Sequence, residues 1–348
     1  MKKNIVYILF VTLIFGCAKK KDDSDNSGTS QTDLYKAAAS TASDEAVDSI
    51  VESGSTSNFS PLTNTLAVTR ACTASAGSAS VLITFTGANN FTFSKTILGA
   101  SVDVSVDVAK SGTETRVWNP ASCHSSGEYA DISWLNTGVG NNLTLNIDLN
   151  RTINRTKTFT VTKNSKTTTK TATDNVVITG NRSISWATPT LSNNQVTRVK
   201  TISSQVTRER TFTRVTGATT SLTSTVTTDS ANPLVVSVVR SNVLQTLLSK
   251  TINSGIVKVA DSDGKLSSCT FSNVVYDFTS SNENKCLPSS GTITCNVYSS
   301  TTDETVDSTL VISFGQSTTS SVSISVDNAT AEDYPEYNSK GCELESAT

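Results

Sequence analysis

The sequence predicts an all-β body of antiparallel sheets, arranged as a sandwich, a meander or a barrel-like roll, with a short helix and a flexible tether ahead of it. Three observations carry this. Apolar and polar residues alternate at period two in several stretches, Ser and Thr are unusually frequent, and glycines and an Asp-Gly pair fall between apolar runs at short intervals. Threonine is β-branched and suits a pleated surface with one buried and one wet face. Aromatic residues make up only 6% of the chain, so a core has to come mainly from Val, Ile and Leu.

The chain opens with Lys2 and Lys3, followed by an apolar run from Ile5 to Phe15. That is the charged start and short apolar centre of an export signal, and it falls short of the roughly 20 apolar residues that span a bilayer. The segment Ile14-Phe15-Gly16-Cys17 resembles the lipobox of bacterial lipoproteins: an aliphatic residue, a variable one and a small one ahead of a cysteine. The resemblance covers residues 1–17 and implies a cleaved signal peptide, with lipid on Cys17 tethering the mature chain to an envelope membrane. Position 18 is Ala and not Asp, which by the same resemblance implies sorting to an outer membrane, with the body periplasmic or surface-exposed.

Residues 18–53 divide into two parts. Up to Thr32 the chain is charged and without apolar period, as a tether would be. From Asp33, a candidate N-cap, Leu34, Ala37, Ala38, Ala46, Val47 and Ile50 allow one short helix to Ser53. The β-rich body then occupies 54–348, a length that suits one large or two modest subdomains.

Within the body, Val102, Val104, Val106 and Val108 alternate with Asp103, Ser105 and Asp107, so valines line one face of a strand and carboxylates the other. The same pattern runs through Leu143, Leu145, Ile147 and Leu149, and through Val322, Ile324 and Val326. Further strands are expected at Val81–Phe85, Phe159–Val161, Val176–Ile178, Val235–Val239, Ile256–Val259, Val274–Phe278 and Leu310–Phe314. Asp263-Gly264, Gly87, Gly112, Gly138, Gly140, Gly180 and Gly217 are read as turn positions, which favours hairpins over helical crossovers. The tetrapeptide at Gln195–Arg198 returns at Gln205–Arg208, a period close to one strand plus a turn.

Apart from Cys17 the cysteines are Cys72, Cys123, Cys269, Cys286, Cys295 and Cys342, an even set suited to disulfides in an oxidising compartment. The turn-forming residues Pro288–Gly291 make Cys286 with Cys295 the favoured local pair. A single histidine and no paired C-x-x-C argue against a zinc site, and no cofactor or metal is expected.

Charge divides the chain sharply. Residues 151–214 hold 12 Lys/Arg against 2 Asp/Glu, while both flanks are acidic. One reading has these cations solvating the outer face of a sheet or pairing with the acidic flanks. The other makes Arg151, Arg155, Lys157, Arg198, Lys200, Arg208, Arg210 and Arg214 contacts for an anionic surface, such as lipopolysaccharide phosphates, acidic glycans or lipid headgroups. Nucleic acid is not expected, because aromatics for base stacking are scarce in the band and an exported protein seldom meets it.

No catalytic residue is assigned. Cys123-His124 would place its side chains on opposite faces of an extended segment, and Ser262-Asp263-Gly264-Lys265 has the composition of a hairpin turn where an acyl-enzyme needs a helix. No nucleophile elbow, P-loop, dinucleotide fingerprint or H-E-x-x-H occurs. The leading expectation is a non-enzymatic envelope lipoprotein that contacts a surface, glycan or envelope protein. A periplasmic carrier of lipid or apolar ligand and an enzyme acting on envelope polysaccharide stay open beside it.

Overall fold

The computed structural model describes residues 67–97, 100–131, 143–243, 246–262, 264–279, 287–302, 305–315 and 322–334, together with Ala42 and Ala46. The lipobox residues, Cys17 and the tether lie outside the described residues. So does the helix expected over 33–53, apart from those two alanines, both of which are fully buried in the core.

The described residues form an all-β structure built on one large antiparallel sheet. Its first half comprises β1 (Ala67–Ser75), β2 (Ser78–Ile97), β3 (Ala100–Asn119), the short pair β4 (Ser122–Cys123) and β5 (Ala130–Asp131), β6 (Thr144–Lys163), β7 (Lys166–Trp186), β8 (Thr190–Ser192) and β9 (Gln195–Thr213). The second half comprises β10 (Thr219–Thr228), β11 (Leu234–Ser241), β12 (Leu247–Asp261), β13 (Leu266–Asp277), β14 (Ser290–Tyr298), β15 (Ser308–Phe314), β16 (Val322–Val326) and β17 (Glu332–Asp333). The order across the sheet is β1-β2-β3-β6-β7-β9-β10-β12-β13-β14-β15-β16-β17. Chain neighbours therefore pair in space, the meander that hairpin connections produce.

β10 and β11 share one lane, because each pairs with both β9 and β12. The lane breaks at Asp229, whose Oδ1 accepts the backbone N–H groups of Ala231 and Asn232 at 3.0 Å and whose Oδ2 accepts Lys258 Nζ at 2.6 Å. Pro233 then resumes the lane without a donor to leave unpaired.

One face of the sheet is buried. Directly opposed residues point to the same side, so the row Leu145, Ile184, Ile202 and Leu234 shares a face, and all four are fully buried. The buried residues form one apolar cluster running from Val81 on β2 to Ile324 on β16. Each buried Leu or Ile contributes about 2 kcal/mol from area removed from water. Trp118 and Trp186 stack at 5.9 Å within the cluster. The alternation expected at 102–108 holds, with Val104 and Val106 buried and Asp103 and Asp107 exposed.

Three glycines expected at turns are inside strands: Gly87 in β2, Gly112 in β3 and Gly180 in β7. A Cβ on Gly112 would sit 2.2 Å from the Asn150 carbonyl oxygen, and one on Gly180 2.2 Å from that of Gln205. Both have positive φ, +155° and +150°, so the chain uses them where neighbouring backbones approach closely. Gly217 and Gly264 do lie between strands, with φ of +85° and +83°, while Gly138 and Gly140 lie outside the described residues. The repeated Gln-Val-Thr-Arg falls within the single strand β9 and contains no turn. Its spacing of ten is even, so both copies face the same way.

Among the described residues two disulfides tie the body: Cys72 with Cys123, and Cys269 with Cys295. The pairing of Cys286 with Cys295 does not occur, because register sets Cys295 on β14 directly opposite Cys269 on β13. Cys286 and Cys342 lie outside the described residues.

Candidate anion-binding face

The basic band acquires a direction from the register. The pairings Gly112–Arg151–Ile178–Arg208, Val108–Arg155–Asp174–Phe212 and Val106–Lys157–Ala172 each cross β3, β6 and β7, and the first two reach β9. Arg210 faces Val176, Lys170 faces Phe159, Arg182 faces Ile147 and Lys200 faces Trp186. All these cations therefore lie on the face that carries the core. Arg198 joins them, two residues from Lys200 on β9, and Lys166 lies on the same side of β7 as Lys170. Arg214 does not, since β9 ends at Thr213 and Arg214 is exposed in the following turn, where its N–H donates to the Ala218 carbonyl.

The opposite face of β3, β6, β7 and β9 carries no Lys or Arg. It carries Asp103, Asp107, Asp148 and Glu209 among Thr, Ser and Asn. There Ser94 Oγ donates to Asp103 at 2.5 Å, Asn90 donates to Asp107, and Thr162 with Thr167 and Thr213 with Thr219 pair their hydroxyls at 3.1 and 3.2 Å. The reading in which the cations solvate the outer face is thus reversed: acids and hydroxyls take that side.

Two carboxylates hold the centre of the cationic face. Glu114 is fully buried and accepts Arg116 Nε at 2.5 Å and an Arg151 terminal nitrogen at 2.6 Å. Asp174 takes Arg210 through Nε at 2.6 Å and a terminal nitrogen at 3.0 Å, and Arg155 at 3.1 Å. Burial raises the Asp174 carboxyl, but the hydrogen bond and charge of Arg210, then Arg155, outweigh it and hold the group below the usual range. Lys110, on the same face, is depressed by burial and then by the charge of Arg155. The notion that the band pairs with acidic flanks holds for Glu114 alone among these contacts.

A second cationic patch lies at the other end of the face. Arg198 and Lys250 flank Val238 from β9 and β12, and Lys200 faces Val236 on the same strand. Burial, then the charges of Lys250 and Arg240, depresses Lys200 strongly, and burial followed by Arg240 brings Lys250 to about 7. Arg198 is lowered by burial and then by Arg240. These groups sit against Trp186 and the apolar core, whereas the accessible cations are at the far end, where Lys166 and Lys170 are exposed.

The other motifs resolve simply. Cys123 is in a disulfide, so it is not a thiol partner for His124, whose Nδ1 accepts the Ser126 N–H at 3.2 Å. Ser262 lies in the β12–β13 hairpin, with Gly264 N–H donating to the Asp261 carbonyl at 2.9 Å. Reading the sequence alone missed Glu114, Asp174, Lys110, Lys166, Lys170 and Lys250 as members of this face. Strand parity is the signal that finds them. Comparison with family models, curated proteins and solved structures finds no match for this chain.

Proposed function

We propose that this is a lipid-anchored envelope lipoprotein whose β body is a non-catalytic binding module for an anionic envelope ligand, such as an acidic glycan or the phosphates of lipopolysaccharide. The observation that carries the binding role is the segregation of charge: cations of β6, β7 and β9 share one sheet face and the acids mostly take the other. A net charge of −2 over the chain would repel a polyanion weakly. Collecting the positive charge on one side produces a local field that attracts it. The anchor rests on the lipobox resemblance and Cys17, and the two disulfides fit an oxidising compartment. The sheet is proposed to fold back on itself as a sandwich, since one open sheet with a single buried face needs a second layer to cover it.

Two measurements test this. A palmitate analogue should label the wild-type chain and not the Cys17→Ala variant; labelling of both removes the anchor. The full chain should be retained on immobilised heparin, a sulfated glycan, and released earlier when Lys166 and Lys170 are both changed to Ala. Flow-through of the wild type at low salt removes the binding role.

A further inference from the structure

The accessible end of the cationic face is also apolar. Register gives two adjacent rows across β2, β3, β6 and β7: Phe91–Val106–Lys157–Ala172 and Phe93–Val104–Phe159–Lys170. Each row runs from an aromatic side chain on β2, through a valine, to a lysine on β6 or β7. Phe91 is 38% exposed and Phe93 45%, and Val161, two residues beyond Phe159 on the same face, is 36% exposed. Large apolar groups at such exposure on neighbouring positions of one face are uncommon without a partner to cover them.

We infer that this end of the sheet docks on an anionic lipid surface, with Phe91 and Phe93 entering the headgroup boundary and Lys157 and Lys170 meeting lipid phosphates. The inference rests on reading the cationic face as a binding surface, and it names the partner. Two properties select lipid over a soluble polyanion. A glycan offers charge and hydroxyls but little for exposed phenyl rings, whereas an interface binds apolar area and cations together. The neighbouring acid on this face, Asp174, is held by Arg155 and Arg210, and Asp103 and Asp107 point to the other side. The patch thus presents positive charge beside aromatic surface.

The test uses the full chain carrying Cys17→Ala, so that no acyl chain contributes, with sedimentation of vesicles of phosphatidylcholine alone or mixed with phosphatidylglycerol. The phosphatidylcholine arm subtracts apolar insertion of the N-terminal segment, and the Phe and Lys pair variants, which keep that segment with its Lys2, Lys3 and Lys19–Lys21, subtract its attraction to phosphatidylglycerol. Binding should require phosphatidylglycerol, and Phe91→Ser with Phe93→Ser should weaken it about tenfold or more, as should Lys157→Ala with Lys170→Ala. Far-ultraviolet circular dichroism checks that each variant keeps its sheet. Vesicle binding that the Phe pair leaves unchanged overturns the inference in favour of a purely electrostatic contact. Retention on heparin without vesicle binding also overturns it, while the cationic-face reading stands. Failure on both supports removes the two together.

Discussion

Removing the buried carboxylate of Glu114 should cost the body about 3 kcal/mol. Its side chain is 1% exposed and bridges Arg116 and Arg151, whose side chains are 12% and 18% exposed. Breaking a buried pair by deleting one partner typically costs about 3–5 kcal/mol, because the remaining charge loses its compensation. The lower end applies here, since both guanidinium groups keep some contact with water. Glu114→Gln preserves volume, so the loss reports charge and not a cavity. In a body of this size the melting temperature should fall by about 5 °C. The assay is urea unfolding with the disulfides intact, read by tryptophan fluorescence, where the midpoint should fall at constant m-value. A change below about 0.5 kcal/mol would refute the reasoning, for it would place Glu114 among ion pairs of surface strength.

Other consequences follow from particular residues. The folded-state pKa of Lys250, about 7 through burial and the charge of Arg240, lies below its unfolded value, so the unfolded chain binds more protons between the two and stability should rise as pH increases from about 7 towards 10. Lys250→Met should raise the midpoint at pH 7 and reduce the slope; an unchanged slope contradicts the assignment. Gly112→Ala and Gly180→Ala place a Cβ against backbone and should cost about 3 kcal/mol or more or prevent folding, whereas Gly217→Ala, with open space around it, should cost about 1–2 kcal/mol, as urea midpoints would show. A non-reducing digest should yield Cys72–Cys123 and Cys269–Cys295 peptides. Opening the first, which spans 51 residues of sequence, should cost about 4 kcal/mol.

Much of the fold is legible in the residues because period two is a strong signal where Val, Leu and Ile alternate with Thr, Ser and Asp. The runs at 102–108, 143–149 and 322–326 all became strands with the expected face inward. Strand length was harder to read. β2, β3 and β6 each run for 20 residues through stretches of Thr, Asn and Lys with few apolar residues. Glycine inside such a stretch reads as a turn when only local propensity is weighed. Gly112 and Gly180 are instead positions of close backbone approach, a tertiary demand absent from local sequence.

The cationic site was half legible. The positive band was plain from composition, but its side of the sheet was not, and expecting long charged side chains to face water put them on the outside. Parity held the answer: Arg151, Arg155 and Lys157 are odd on β6, while Lys166, Lys170 and Arg182 are even on β7 and Arg198, Lys200, Arg208 and Arg210 even on β9. Consistent parity within a strand assigns one face, and pairing across strands then joins those faces. Glu114 shares β3 with Arg116, but Arg151 reaches it from β6, and Asp174 on β7 is held by Arg155 of β6 and Arg210 of β9, so these clusters stayed hidden until register brought the strands together.

The most direct test separates face from net charge. Lys157→Ala with Lys170→Ala and Thr158→Glu with Thr169→Glu change the net charge by the same amount at neighbouring positions, but on opposite faces of β6 and β7. The lysine pair should leave immobilised heparin at clearly lower salt than the wild type, while the threonine pair should leave close to it. Equal shifts for both pairs would show that overall charge governs binding, and would contradict a face-specific site.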